Sequence, residues 1–278
     1  NYKYALMSAG SAFSKANSKK IADNGTWVID NSSAWRMDDS VSLIVPEVNG
    51  HVLDKLDERT STKIIANPNC STIQLVVPLK LLADEFGLDM VQVASYQSVS
   101  GAGQTAIDEL HKMTADQIDE TLTKPLIEKR NTRAFNCIPA IDKLNAERHA
   151  FEEEKIVRET YKILGQSHFR ILATTVRVPV FRCHGEAVAV KLKKKVSRQD
   201  VVDLFANSPM LELDDKNSYD TFPTPRFVQG QKSVWVSRVR LPIDEIESDW
   251  VQFWVIADNL KKGAATNAVQ ILEYMEKR

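Results

Sequence analysis

No apolar run in the 278 residues approaches the roughly 20 needed to cross a bilayer, which excludes a membrane-spanning helix. The opening residues show none of the charged-then-apolar pattern of an export leader, so export is not expected. Cysteine is scarce: Cys70, Cys137 and Cys183 lie far apart, with no CxxC pair and no even framework. A disulfide-stapled secreted fold is excluded, and reduced thiols in a cytoplasm are expected. An excess of one charge is also lacking. The 36 basic and 37 acidic residues leave a formal net charge of -1, so no overall field draws in nucleic acid or an anionic membrane. The expected partners are small molecules. Glycine is limited to 10 residues, which nowhere form a G-x-x-G-x-x-G turn.

What is present is 43% hydrophobic, enough at this length for one large domain or two ordinary ones. Short apolar runs at Tyr4 to Met7, Trp27 to Ile29, Ser42 to Val45 and Lys63 to Ala66 alternate with polar helical stretches around 12–23 and 50–58. That rhythm predicts βαβ units and a parallel sheet. Because the first strand turns at once into a helix, two or three strands are expected to precede it. The stretch Ser71 to Phe86 is apolar on nearly every side, which predicts a helix buried between layers, and Pro78 is expected to kink it. From about residue 89 the texture changes. MVQVASYQSVSG reads as a longer strand, Gln104 to Asp119 as an amphipathic helix, and TKPLIEKRNTRAFNCIP as a polar connection. Residues 171–181 and 186–194 read as long strands joined by a Cys183 to Gly185 turn, and 233–241 with 250–258 as a second pair. A mostly antiparallel sheet follows. Val201 to Phe205 and Leu260 to Tyr274 read as helical, the latter packing through Ala264, Ala268, Ile271 and Leu272.

Chemistry concentrates in NPNCST, which sets Cys70 where a strand ends and the apolar helix begins. There a thiol would feel the positive end of the helix dipole and the unpaired N–H groups of the first turn. That position favours the nucleophilic thiolate, and the same N–H groups could hold an oxyanion. Cys70 is therefore expected to be the most reactive of the three thiols. A buried cysteine that merely caps a core helix stays open on this stretch alone. His184, in RVPVFRCHGEAV, is the candidate base, and Arg177, Arg182 and Glu186 crowd the same predicted hairpin. Two arginines beside a histidine suit an anionic substrate, although a solvated hairpin of alternating charge would read the same way.

Together the segments IDNSSAWRM, VPEVN, ANPNCSTIQ, YQSVSGAG, FNCIPAID, ETYKIL, RVPVFRCH, FPTPR and DNLKKGAATNAVQI resemble, in order, the aspartate-semialdehyde dehydrogenase family. The resemblance runs through nearly the whole chain and favours the branch with NPNCST over the one with a double glycine before the Asn-Cys pair. It implies an α/β fold with an α+β second domain. Residues 1–70 plus 259–278 would form a partial Rossmann-like parallel sheet lacking its N-terminal strands, and 71–258 a mostly antiparallel catalytic and dimerisation domain. The implied reaction is the NADPH-dependent reduction of aspartyl-4-phosphate to aspartate-4-semialdehyde, with phosphate released, on the route to lysine, threonine, methionine and diaminopimelate. Residue by residue, Cys70 matches the nucleophile that forms a thioacyl intermediate, His184 the acid/base group and Gln97 the residue that orients the substrate. Arg36 and Lys162 match the groups that hold phosphate, with Asn69 beside the nucleophile. Arg177 matches the guanidinium that grips the α-carboxylate. Glu159 would face the α-amino group, three residues from Lys162 on one helix face, a spacing that alone would read as a surface ion pair. For NADPH the matches are Ser8, Ala9, Gly10 and Ser11, then Ser100 and Gly101, then Asn259. The resemblance implies no metal, and a homodimer or dimer of dimers.

Two departures stand out. The family opens on a strand and a G-x-x-G-x-x-G turn that this sequence does not contain, so an N-terminal segment is expected upstream, the alternative being a natural fragment with an incomplete cofactor site, and residues 1–278 alone are expected to bind NADPH weakly and expose a sheet edge. Gly185 stands where the family commonly has serine, which is expected to loosen the hairpin. Other readings are a related acyl-phosphate reductase such as N-acetylglutamyl-phosphate reductase or glyceraldehyde-3-phosphate dehydrogenase, a cofactor-free cysteine hydrolase using Cys70 and His184, and a silent homologue serving as a dimerisation module.

Overall fold

A computed structural model describes residues 2–56, 62–120, 132–216 and 218–277. Most of the predicted polar connection, TKPLIEKRN, falls outside them, as do residues 57–58 of the second helical stretch. Four short strands, β1 (Tyr4–Met7), β2 (Trp27–Asp30), β3 (Ser42–Leu43) and β4 (Ile64–Ala66), form a parallel sheet in the order β1-β2-β4-β3. Helix α1 (Ser11–Asp23) joins β1 to β2, and α2 (Pro46–Asn49) with a 3-10 turn at Gly50–Lys55 follows β3. The inner strands β2 and β4 are buried on both faces, as a parallel sheet covered on two sides requires, while the edge strand β1 leaves Leu6 exposed.

The long helix α3 (Cys70–Phe86) begins four residues after β4 and is capped by Asn69, whose Oδ1 accepts from the backbone N–H groups of Ser71 (2.9 Å) and Thr72 (3.4 Å). Every residue from Ser71 to Leu79 is buried, as the all-round apolar pattern predicts. The helix runs unbroken through Pro78 and stops at Gly87, whose φ of 73° suits glycine.

Six strands make the second sheet: β5 (Leu88–Gln97), β6 (Arg170–Arg177), β7 (His184–Ser197), β8 (Glu212–Asp214), β9 (Trp235–Arg240) and β10 (Glu247–Ala257). Their order is β6-β5-β7-β10-β9-β8. The three central pairings are antiparallel, as expected, while β5–β6 and β8–β9 are parallel. Helices α4 (Gln104–Glu120), α5 (Phe151–Leu164), α6 (Arg198–Ala206) and α7 (Pro225–Val228) fill the connections. After β10 the chain makes a π-helical turn at Lys261–Thr266 and continues into α8 (Asn267–Glu276).

One expectation about the second sheet is corrected. Strands β6 and β7 do not form a hairpin, because β5 lies between them and pairs with both. The segment between them crosses the end of β5, where the backbone N–H groups of Val99 and Ser100 donate to the carbonyls of Val180 (2.9 Å) and Phe181 (3.1 Å). His184 therefore opens a buried central strand instead of sitting in a turn. Nor does Gly185 loosen a hairpin. A Cβ there would lie 2.0 Å from Trp254 Cζ2, so the indole occupies the space that a side chain would need.

One apolar core runs from Val28 and Ile64 of the first sheet, through Ile73, Val76 and Leu79 of α3, to Val91, Val188 and Val255 of the second. The far face of the first sheet, Trp27, Ile29, Ile44 and Ile65, is covered by Ala268, Ile271 and Met275 of α8. The outer face of the second sheet carries Tyr96 and Leu172, both exposed, and part-buried Trp254.

Candidate active site

Cys70 occupies the first turn of α3, at the seam between the sheets. On one side the π-helical turn presses against it, since a Cβ added at Gly263 would lie 2.8 Å from Cys70 Cβ. On the other side Asn69 is locked from three directions. Its Oδ1 caps α3, its Nδ2 donates to Glu152 Oε1 (2.9 Å) and its backbone N–H donates to Glu159 Oε2 (2.6 Å). Both glutamates lie on α5, two turns apart on one face and buried.

Arg36 closes this wall. Its Nη1 pairs with Glu159 Oε1 at 3.1 Å, while Nε and Nη2 donate to the carbonyls of Asn67 (3.0 Å) and Asn31 (2.9 Å). Lys162 does not pair with Glu159; its Nζ donates to the carbonyls of Arg36 (2.9 Å) and Asp38 (2.7 Å). Burial lowers its pKa. Burial also raises the Glu159 pKa despite Arg36. In Glu152 burial is outweighed by Lys155 and by the Asn69 amide, which hold its carboxyl below the usual range.

Across the seam β5 and β7 set Gln97 opposite His184. The His184 ring is fully buried, and its Nδ1 accepts from the Ser98 backbone N–H at 3.1 Å. Burial, reinforced by Arg177, pushes its pKa down to about 4, so the ring is neutral at pH 7. With Nδ1 accepting, the neutral ring carries its proton on Nε2. Among the described residues Nε2 has no hydrogen-bond partner, and a Cβ at Gly101 would meet it at 3.2 Å and Arg177 Nη1 at 3.5 Å. Arg177, at the end of β6, also donates through Nη1 to the Ser98 carbonyl. Gln97 is buried and donates to Ser95 Oγ at 3.2 Å. Arg182 is half-buried on the crossing segment, so the predicted cluster of two arginines and Glu186 on one hairpin dissolves.

The thiol itself departs from expectation. Burial, with a contribution from the Glu152 charge, pushes the Cys70 pKa up to about 12, and Arg36, the Ser71 N–H and Arg177 oppose this without overcoming it. Cys70 is held as a thiol. The Cys183 pKa is likewise raised by burial to about 12, whereas Cys137 is exposed.

The residues expected at the cofactor fall into two groups. Ser8, Ala9 and Gly10 are exposed in the turn from β1 to α1, and Gly10, at φ 85°, leads into Ser11 at the start of the helix. Ser8 lines a cleft of about 350 Å³ with Leu6, Asn31, Leu260 and Ala264. The cleft opens at the carboxyl ends of parallel strands, beside a helix N-terminus, where such sheets receive nucleotides. It reaches the π-helical turn that touches Cys70, and its lining could hold a nicotinamide nucleotide. Ser100 and Asn259 are buried and bonded to one another, and Asn259 Oδ1 also accepts from the Cys183 backbone N–H at 3.0 Å. Cys183 has a φ of 71°, unusual for a residue with a side chain, so this bond holds the strained entry to His184. Gly101 stands beside His184 and Arg177.

Sequence reasoning missed Glu152, Ser98, Gly263 and the ion pair of buried Lys262 Nζ with half-buried Glu47 Oε1 (2.6 Å). Ser98 and Gly263 lie inside the quoted motifs YQSVSGAG and DNLKKGAATNAVQI, and Glu152 stands seven residues before Glu159 on the same helix face.

Residues 1–56 match the semialdehyde dehydrogenase NAD binding domain, and residues 79–262 the semialdehyde dehydrogenase dimerisation domain. Fold and site thus define an oxidoreductase of the semialdehyde dehydrogenase class. An aspartate-semialdehyde dehydrogenase of Aquifex aeolicus (strain VF5) is 40% identical over 273 residues, 98% of this chain and 79% of that protein. The crystal structure of aspartate semialdehyde dehydrogenase II from Vibrio cholerae complexed with ASA superposes with a TM-score of 0.89 at 40% identity, covering 99% of this chain and 79% of that one. The Candida albicans aspartate semialdehyde dehydrogenase with NADP shares the fold, with a TM-score of 0.74 at 23% identity over 99% of this chain and 77% of that one. The chain belongs to the aspartate-semialdehyde dehydrogenase family.

Proposed function

We propose that this protein reduces aspartyl-4-phosphate to aspartate-4-semialdehyde with NADPH, reversibly in phosphate, in the biosynthesis of lysine, threonine, methionine and diaminopimelate. The observation that carries the reading is that Arg177, whose charge acts on the Cys70 thiol, stands at the end of β6 in register with Gln97 of β5, which is itself opposite His184 of β7. Cys70 Sγ attacks the acyl carbon, the carbon–oxygen bond to phosphate breaks, and the thiol proton leaves with the phosphate. A thioacyl group on Cys70 results. The cleft lined by Ser8 and Ala264 would hold the nicotinamide nucleotide, which would supply a hydride to the acyl carbon; the carbon–sulfur bond then breaks to free the aldehyde, and Cys70 Sγ takes a proton from solvent to return to the thiol. Ser8, Ala9, Gly10 and Ser11 carry the backbone toward the nucleotide, with Ser100, Gly101 and Asn259 framing the inner end.

His184 acts at Nε2. From there its N–H faces the acyl oxygen and stabilises negative charge gathering on it. To take a proton from the thiol, the ring would first have to release the Ser98 N–H from Nδ1. Arg177 offers its guanidinium to the α-carboxylate, and Gln97 fixes the acyl group beside Sγ. Arg36 and Lys162 form the phosphate side, with Asn69, and Glu159 the side of the α-amino group. Binding there must loosen the internal bonds that now occupy Arg36 and Glu159. The outer face of the second sheet, with Tyr96 and Leu172, serves a homodimer. The division into a nucleotide-binding unit, 1–70 with 259–278, and a catalytic unit, 71–258, fits the two sheets, and the cytoplasm fits the reduced cysteines.

The test is NADPH consumption dependent on aspartyl phosphate. Cys70→Ser should lower kcat by about 10³-fold or more, because an alcohol at this site is a far weaker nucleophile than a thiol. Turnover that persists in the variant would remove Cys70 from the role.

A further inference from the structure

Glu186 is a buried acid that the proposed reaction does not use. It lies two residues after His184 on β7, so both side chains project to the same face of the sheet, toward α3. On α3, Gln74 stands one turn after Cys70 and therefore on the same helix face as the thiol. The two elements carry matched pairs: Cys70 and His184 at the seam, Gln74 and Glu186 one layer deeper. Both deeper residues are fully buried. In register with Glu186 stand Ser95 on β5 and Val255 on β10, so neither neighbouring strand offers it a charge.

Among the described residues, both carboxyl oxygens of Glu186 and both amide atoms of Gln74 have no hydrogen-bond partner, and Gln74 is the polar side chain that acts on the Glu186 carboxyl. Donor counting decides what they can do. An ionised carboxylate offers only acceptors, so one of its oxygens would oppose the amide oxygen of Gln74. A neutral acid offers one O–H and one C=O, complementary to the C=O and NH₂ of the amide. We propose that Glu186 and Gln74 form a reciprocal, uncharged acid–amide clamp between β7 and α3, which makes Glu186 a positioning residue for Cys70 and His184. The electrostatics agree: burial, with the Glu152 charge adding to it, raises the Glu186 pKa well above the usual carboxylate range, and the nearby Gln74 amide opposes this only in part. The nearest titratable group on its own strand, His184, is neutral.

The clamp rests on the reaction proposed above, and one measurement is independent of it. Infrared difference spectra of the purified protein at pH 7 should show a carbonyl band of a protonated carboxylic acid that vanishes in Glu186→Gln; absence of such a band in the wild type would overturn the clamp whatever the activity. In the NADPH assay, Glu186→Gln, which keeps one donor and one acceptor, should hold kcat within about threefold with an unchanged pH profile between pH 6 and 8. Glu186→Leu should lose tenfold or more in kcat with KM little changed, since small misplacements of reacting groups are costly. A collapse of Glu186→Gln, or a displaced pH profile in it, would show that the charge matters and overturn the proposal. A wild type that consumes no NADPH would defeat the reaction and leave the infrared result to judge the clamp.

Discussion

At Cys70 two effects compete. The positive end of a helix favours a thiolate by about 0.3–1 kcal/mol, which is less than one pH unit, since a unit corresponds to about 1.36 kcal/mol. Burial and the Glu152 charge move the thiol from its usual 9.0 to about 12, so burial wins. The order of labelling should follow. A limiting alkylating agent at pH 7 should modify exposed Cys137 before Cys70 and Cys183, as read by mass spectrometry of the peptides. Labelling of Cys70 should then rise about tenfold for each pH unit, because its reactive form is the deprotonated one and its pKa lies near 12. Cys70 modified first at pH 7 would mean that the helix N-terminus governs after all. The local motif NPNCST shows the strand-to-helix junction and the asparagine cap. It does not show Glu152, which lies 83 positions beyond Asn69 and reaches the same spot only because α5 packs against α3.

Among the elements, the rhythm of short apolar runs and polar helices is enough to place all four parallel strands; it is clearest for β2 and β4, which are buried on both faces and so read as apolar runs. Helix α3 is equally legible from its apolar surface. The insertion of β5 between β6 and β7 is not. Strand order depends on pairing between segments about 75 residues apart or more, for which adjacent apolar runs carry no signal. The contact of Gly263 with Cys70 is a second case of this kind. It is held by the ion pair of Lys262 with Glu47, a buried charge whose partner lies 215 positions away in the chain. Gly263→Ala should therefore act on Cys70. With a Cβ 2.8 Å from Cys70 Cβ, either the π-helical turn or the start of α3 must shift. We expect about 1–3 kcal/mol lost in chemical denaturation and a kcat lowered by about 10-fold to 100-fold. Stability and kcat both equal to wild type would show that the turn yields freely.

For the whole molecule, the second sheet presents α3 and the site on one face and an apolar surface on the other. Tyr96 and Leu172 are 41% and 53% exposed there, more than a central sheet face normally leaves to water. Leu172→Lys should convert a dimer to a monomer in analytical ultracentrifugation, and lower activity because Arg177 and Gln97 lie at the ends of the strands that form this face. An unchanged sedimentation coefficient would place the interface elsewhere. No helix among the described residues is long and apolar enough to cross a membrane.

The cover of the first sheet by α8 has a consequence in time. Trp27, Ile29, Ile44 and Ile65 leave the ribosome about 200 residues or more before Ala268, Ile271 and Met275, which cover them. Gly263, which lies against Cys70, is made equally late. During synthesis the parallel sheet waits, with one apolar face covered only by Leu53 and its neighbours, for a segment that emerges long after it. A ribosome stalled before residue 260 would carry a sheet that chaperones must shield, and the chain can become an enzyme only once that late segment has come out to close over it.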